Sequence, residues 1–315
     1  MDNKNNNDYT GIDCGASKVL VQSAKIDKKL MKISPVGTSS EILYSDHPDW
    51  NHNFKPINLK QQEKDHQNNK IVCSNTEKKQ GDVICDILIS ILSKFSMDKI
   101  GVCFPGVKNK TGVVIMTNGP RIPEFKKKIS NVDNIFNDSD CCIIGEWKST
   151  IGKMQNIKNG IYIGGGTGIA DGLICNSKLI DFNKVKILKR SWELKAPGGL
   201  SVESMLSPKG IISNYNKLRS SNYTKLSLID NNNDLRLLLK KASEMFSLLI
   251  KNRVKYFDSK GKTIEKIVIG QRLGQFFKKS DTSLIKIFQN RTNIPIVLSD
   301  DRRTAALGAA WKRVC

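Results

Sequence analysis

At 315 residues the chain is long enough for two modest α/β domains, or for one large domain with insertions. Its 51 Lys and Arg against 30 Asp and Glu give a net charge of +21, which favours anionic ligands. The lysines are spread along the whole chain with no basic block interleaved with aromatics, so nucleic acid is not an expected partner. No apolar run approaches the ~18 residues of a membrane span, and the polar start Met1-Asp2-Asn3-Lys4 lacks the apolar stretch of a signal peptide. A cytoplasmic protein with no membrane partner is expected.

In chain order, Tyr9–Asp27 reads as a β-hairpin around Gly11-Ile12-Asp13-Cys14-Gly15-Ala16-Ser17-Lys18. Residues 35–82 are polar and read either as an insertion with a hairpin of its own or as a flap. Val83–Phe95 has helical apolar spacing. Lys99–Val107 is a buried strand ended by Pro105-Gly106, and Val113–Thr117 a second strand reaching Asn118-Gly119-Pro120. Asn137-Asp138 precede a helix expected over Cys141–Ile151, and Gly160–Ile174 is a strand, a glycine loop and a resumed strand. An amphipathic helix is expected over Asp234–Lys251, and strands over Ile264–Ile269 and Ile294–Leu298. The small-residue helix Thr304–Arg313 closes the chain, packed tightly against another element. Strands alternating with helices predict a layered α/β architecture.

Eight cysteines form no C-x-x-C pair, with Cys141 and Cys142 adjacent, and all three histidines (His47, His52, His66) fall in the polar stretch. Reduced thiols are expected, and no zinc. Two glycine turns, far apart in sequence, each sit between strands: Gly11-x-Asp13-x-Gly15-x-Ser17-Lys18, and Gly164-Gly165-Gly166-Thr167-Gly168-x-x-Asp171-Gly172. Glycine lets backbone N–H groups approach phosphate oxygens without Cβ interference. Ser17 and Thr167 can add hydroxyl donors, Lys18 a positive charge, and Asp13 can hold Mg²⁺ through water. Neither turn is a Walker A motif or a dinucleotide fingerprint.

The ordered segments GIDCGASK, IGVCFPG…GVVIMTNGP, NDSDCCIIGE, IYIGGGTGIADGLI, IVIGQRLG and AALGAAW resemble the ROK family of sugar kinases and repressors. More broadly the chain resembles the acetate-kinase/hexokinase/actin superfamily, from about residue 9 to residue 312. The resemblance implies a two-lobed actin/hexokinase-like (ribonuclease H-like) ATPase fold that closes on Mg-ATP. The small lobe would span 1–117 with the helix of 304–315 returning to it, and the large lobe 118–303. It further implies an ATP-dependent kinase acting on a hydroxyl of a small molecule, a hexose or amino sugar.

NDSDCCIIGE lines up with the family signature N-D-x-N-x-A-x-x-G-E, which puts Asp138 in the place of the catalytic base. A capping role for Asn137-Asp138 is the alternative. Asp13, Gly15, Ser17, Lys18, Gly166, Thr167 and Gly168 would grip the nucleotide phosphates, and Gly270 and Gly274 would border the adenosine. Asn118, Asn137 and Glu203 would meet the substrate, with Glu193 the alternative to Glu203.

The family's zinc motif and its Glu-x-Gly-His segment are absent, since no histidine follows His66. Asp171 stands where the second phosphate loop usually has glycine; it would bind metal or weaken ATP binding. No helix-turn-helix segment precedes Tyr9, which argues against a repressor. An ATPase switch of the reductase-activator kind and a non-catalytic nucleotide- or sugar-binding protein remain the competing functions. A homodimer is compatible with any of them.

Overall fold

Alternating apolar residues open the chain as an antiparallel hairpin, β1 (Asp8–Cys14) and β2 (Lys18–Asp27). The structure, a computed structural model, describes residues 8–314; Cys315 and the polar start at Met1 lie outside them. A third antiparallel strand, β3 (Lys32–Leu43), is followed by α1 (Leu59–Gln67) and α2 (Asn75–Leu92). The Asn58 and Ser74 side chains cap these two helices by accepting from Gln61 N and Glu77 N. Next come β4 (Ile100–Phe104), β5 (Val107–Lys108), β6 (Val113–Ile115), α3 (Phe125–Lys128), β7 (Ile135–Asn137) and α4 (Asp138–Lys148).

The chain continues with β8 (Gly160–Gly165), β9 (Ile169–Cys175), β10 (Lys178–Leu179), α5 (Val202–Leu206) and α6 (Pro208–Arg219). It ends with α7 (Asn233–Ser259), β11 (Lys266–Gly270), α8 (Gln271–Lys279), α9 (Thr282–Gln289), β12 (Ile296–Leu298) and α10 (Thr304–Val314).

Two compact units result: residues up to Thr150 together with those from Arg303, and Ile151–Arg302. The first unit runs to Thr150, past the boundary expected after 117, because β7 pairs with β4 and α4 packs on α10. Each unit holds a five-stranded sheet, ordered β3-β2-β1-β4-β7 in one and β10-β9-β8-β11-β12 in the other. In both, three antiparallel strands are extended by two parallel ones, so one topology occurs twice.

The polar stretch 35–82 is neither a separate hairpin nor a flap. It extends β3 and forms α1 and the first turns of α2. Buried polar side chains fasten it. Gln62 on α1 receives Met116 N (2.8 Å) on Oε1 and donates from Nε2 to Met116 O (3.3 Å). Arg121, with its side chain wholly buried, donates to Glu77 through its backbone N, Nε and Nη2 (2.8–3.0 Å) and to Asp65 through Nη1 (2.8 Å). A guanidinium shut away from water is tolerable because both carboxylates and the Val72 carbonyl satisfy its donors.

The closing helix lies backbone to backbone on its neighbours. Gly11 and Gly101 are partners across the parallel β1–β4 ladder. A Cβ on Gly11 would stand 1.7 Å from Ala306 O, and one on Gly101 1.9 Å from Ala309 O. Gly145 of α4 and Gly308 of α10 approach the other helix in the same way, at Thr304 O and Cys141 O (1.8 Å each).

Gly101→Val should therefore force α10 off the sheet and destabilise the protein by about 3 kcal/mol, the upper range for overpacking. Denaturant unfolding measures this, with Gly37→Ala as the comparison. Gly37 has open space around it, so its variant bears only the strain of a left-handed φ of +64°, about 1 kcal/mol.

Candidate functional site

In the first unit the parallel strands β1, β4 and β7 end side by side. Asp13 pairs with Cys103, Cys103 with Phe136, and Phe104 with Asn137. The carboxyl edge of a parallel sheet is where open α/β folds place their ligands. α4 begins at once after β7, three residues before the expected start at Cys141. Asn137 is its cap, its Oδ1 accepting from Ser139 N (3.2 Å) and Ser139 Oγ (2.9 Å).

Asp138 is the first helical residue, and its Oδ1 accepts from Ser139 N at 2.7 Å. Burial pushes the Asp138 carboxyl above the usual carboxylate range, against the lowering pull of Lys108 and of backbone donors. Asp13 receives a hydrogen bond from Cys103 Sγ (3.6 Å).

The first glycine turn is closed by Gly15 N donating to Lys18 O (2.8 Å). The buried Tyr44 clamps it from below: its hydroxyl donates to Gly15 O (3.0 Å) and its backbone N to Ser17 O (3.1 Å). Ser17 is exposed on the turn. Lys18, expected to offer its charge to phosphate, is in an ion pair with Glu41 of β3. Asn118 is half-buried in the turn after β6, its Nδ2 donating to Thr117 Oγ1 (3.3 Å). That turn is held on one side by Gln62 at Met116 and on the other by Glu77 and Asp65 at Arg121.

In the second unit β8 and β11 end together, Gly164 opposite Gly270 and Gly165 bridged to Gln271. Gly166 N donates to Gly168 O (2.9 Å), so residues 166–168 form a tight turn, half-buried. Gly166 and Gly168 do not occupy the left-handed region; their constraint is space. A Cβ on Gly168 would meet Glu203 Oε2 at 2.7 Å, and one on Gly166 would meet Gln271 Oε1 at 3.2 Å.

Glu203 stands on this turn, in a different unit from Asn118, Asn137 and Asp138. Its Oε2 accepts from Ile169 N (3.0 Å) and from Ser191 Oγ (3.4 Å). Glu193 is exposed and accepts from Arg190 N (2.6 Å). Gly164 and Gly270 enclose the buried Tyr162, with a Cβ on either falling 2.7 or 2.6 Å from its hydroxyl. Gly274 is glycine because Ser299 O would lie 2.1 Å from a Cβ.

Asp171 is not aimed at a metal or a phosphate. It accepts from Arg253 Nε (2.9 Å) and Nη2 (2.5 Å), a buried ion pair between β9 and α7. Among the described residues no group of three His, Cys, Asp or Glu is placed to hold a metal ion, and no helix is long and apolar enough to cross a membrane. None of the seven described cysteines is in a disulfide, and all seven are buried. Tyr44, Gln62, Lys108, Arg253 and Gln271 escaped the sequence reading. Only Gln271, a non-glycine residue at φ +56° straight after Gly270, sat in a motif that sequence had marked.

No protein-family model matches the sequence, and no curated protein matches it. Solved structures do. A ROK family glucokinase from Streptomyces griseus, in complex with glucose and AMPPNP, superposes with TM-score 0.59 at 13% identity, over 96% of this chain and 98% of that one. An inorganic polyphosphate/ATP-glucomannokinase from Arthrobacter sp. strain KM gives 0.58 at 16% identity, over 98% of both chains. A ROK family transcriptional regulator gives 0.56 at 11% identity, over 97% of this chain and 77% of its own. The chain therefore has the hexokinase-like fold of the ROK sugar kinases, a fold that regulators share.

Glu203→Ala should leave the Ile169 N–H unpaired and loosen the second glycine turn. The expected loss is about 1–3 kcal/mol, the cost of an orphaned donor that had a charged acceptor. Equilibrium unfolding should register it, and faster amide exchange at residues 166–169 should locate it.

Proposed function

We propose that the chain is an ATP-dependent kinase that phosphorylates a hydroxyl of a small molecule, a hexose or an amino sugar. The supporting observation is Asp138: a carboxylate at the first turn of α4, at the carboxyl edge of three parallel strands, made more basic by burial. A hydroxyl is a poor nucleophile at neutral pH, and a carboxylate within hydrogen-bond reach takes its proton as the γ-phosphoryl transfers. Asn118 and Asn137 would orient the acceptor. In the first unit the backbone N–H groups of the Gly15–Lys18 turn would offer donors to phosphate oxygens, Ser17 adding a hydroxyl. In the second unit, taken by itself, the Gly166–Gly168 turn offers donors of the same kind, with the Thr167 hydroxyl. Gly270 would border the adenosine.

Mg²⁺ bound with the nucleotide would neutralise charge on the phosphates. Such an ion would be held chiefly by phosphates and water, with Asp13 as a protein carboxylate, the usual manner for Mg²⁺. In this scheme Glu203 supports the second turn, its carboxylate accepting from Ile169 N.

One observation favours a second donor beside ATP. The net charge of +21 suits a polyanion, and the Arthrobacter neighbour is named for inorganic polyphosphate as well as ATP.

Purified protein given ATP or polyphosphate, with and without a panel of sugars, tests the reading. Sugar-dependent consumption supports it. Sugar-independent hydrolysis points to an ATPase switch, and binding without turnover to a non-catalytic protein. Asp138→Ala should lower kcat at least ~10²-fold, the contribution of a positioned base. Mg-ATP should still raise the melting temperature of that variant, because the base touches the acceptor and not the nucleotide.

A further inference from the structure

Lys108 has no role in the scheme above, yet the fold brings its ammonium to the end of β4, next to the strand that leads into Asp138. The tight turn Pro105-Gly106, with Gly106 at φ +78°, folds β5 back on the end of β4. Only glycine fits there, since a Cβ would lie 1.9 Å from Ile115 O. Lys108 Nζ then donates to Phe104 O at 2.7 Å. Phe104 is the ladder partner of Asn137, and Asp138 is the next residue. The ammonium is thus anchored by a neutral carbonyl one strand away from the start of α4.

The other ionisable groups around Asp138 are accounted for. Asp140 of α4 is engaged by Lys312 of α10 at 3.2 Å. The thiol of Cys103 on β4 is kept protonated by its hydrogen bond with Cys141 of α4 and by burial, and it donates to Asp13 of β1. Lys108 on β5 is the group whose positive charge acts on Asp138, and Asp138 in turn supports the ammonium against burial, which lowers it from its ordinary value.

We propose that Lys108 is a positioning residue: its ammonium, anchored on Phe104 O beside the strand that leads into α4, sets a positive charge against the Asp138 carboxylate as that group takes the acceptor's proton. Burial favours the neutral form of Asp138 and a nearby positive charge its ionised form, and it is the ionised form that serves as a base. The inference rests on the reading of Asp138 as that base, and it concerns how the base is kept ready at the pH where it works.

The test is the titration of Asp138 itself, by carboxyl ¹³C NMR of the ligand-free protein, with Asp138→Asn identifying the resonance. In Lys108→Met the midpoint should rise by about one pH unit, as expected when a nearby opposite charge is removed. In Lys108→Arg it should stay near the wild-type value. An unmoved midpoint in folded Lys108→Met overturns the proposal. Should Lys108→Met fail to fold, the reciprocal measurement decides. The interaction is mutual, so Asp138→Asn should lower the titration midpoint of the Lys108 ammonium, and an unchanged one overturns the proposal.

In turnover, the acid limb of kcat/KM should move up with the Asp138 midpoint, costing about tenfold in rate per unit below it. The rate of Lys108→Met should return toward wild type above the limb. A purely structural lysine would lower the rate equally at every pH, which would also overturn the proposal. If no acceptor is phosphorylated while the titration shifts as stated, the kinase reading falls and the Lys108–Asp138 coupling stands. If turnover occurs and neither midpoint nor limb moves, the coupling alone falls.

Discussion

The contact on which the first unit depends is the approach of α10 to β1, β4 and α4 without intervening side chains. Gly11 and Gly101 sit side by side in the ladder, and both give up a side chain so that the helix backbone can rest on the sheet. Gly145 and Gly308 do the same between α4 and α10. Close-packed interiors respond to changes as small as a methylene, so this contact sets the heights of three elements at once. Those elements bear Asp13, Cys103 and Asp138. The position of the candidate base is thus decided by residues at the far end of the chain, in a helix whose own chemistry is bland.

Buried polar groups then fix the turns that packing leaves loose. Arg121 between Glu77 and Asp65, Gln62 on both backbone groups of Met116, and Glu203 on Ile169 N all place a side chain from a distant segment on the backbone beside a candidate binding turn. Removing one partner of such a pair is costly because the other is left buried and unpaired. A turn fastened in this manner cannot drift by a residue or rotate, which a site for phosphate or hydroxyl groups requires. The insertion at 35–82 belongs to this logic. Its polarity, which in sequence reads as looseness, supplies the groups that hold the Asn118 turn.

What sequence made legible was whatever local pattern encodes. The β1–β2 hairpin, the two glycine turns, the strand at Ile267–Ile269 and the small-residue helix at the end all carry their signal within a dozen residues. Helix starts were less legible: α2 begins at a Ser74 cap within a stretch of Lys and Gln, and α4 begins at Asp138 because Asn137, not a later residue, caps it.

The contacts that sequence concealed are non-local. Asp171 read as an extra carboxylate near phosphate, since its partner Arg253 is 82 residues on. Glu203 read as a sugar ligand because nothing beside it announces that its carboxylate meets Ile169 N, 34 residues back. Lys18 read as a phosphate ligand, while the cross-strand pairing that takes it to Glu41 depends on a third strand that the polar sequence concealed.

The repeated sheet topology sharpens the functional question. α4 follows β7 as α10 follows β12, and β1 occupies in one sheet the central place of β8 in the other. With the scaffold held constant, the two carboxyl edges have diverged in chemistry. The first ends in Asp13, Asn137 and Asp138, with Lys108 folded back beside them. The second ends in glycines at 164–166 and 270, where bare backbone is presented and the Glu203 carboxylate is turned to a backbone N–H. Groups that move or hold protons suit an acceptor hydroxyl, and a glycine-lined turn suits phosphate. A buried carboxylate raised above its ordinary range, at the end of parallel strands, is what supports the proposed kinase reading beyond the likeness of fold.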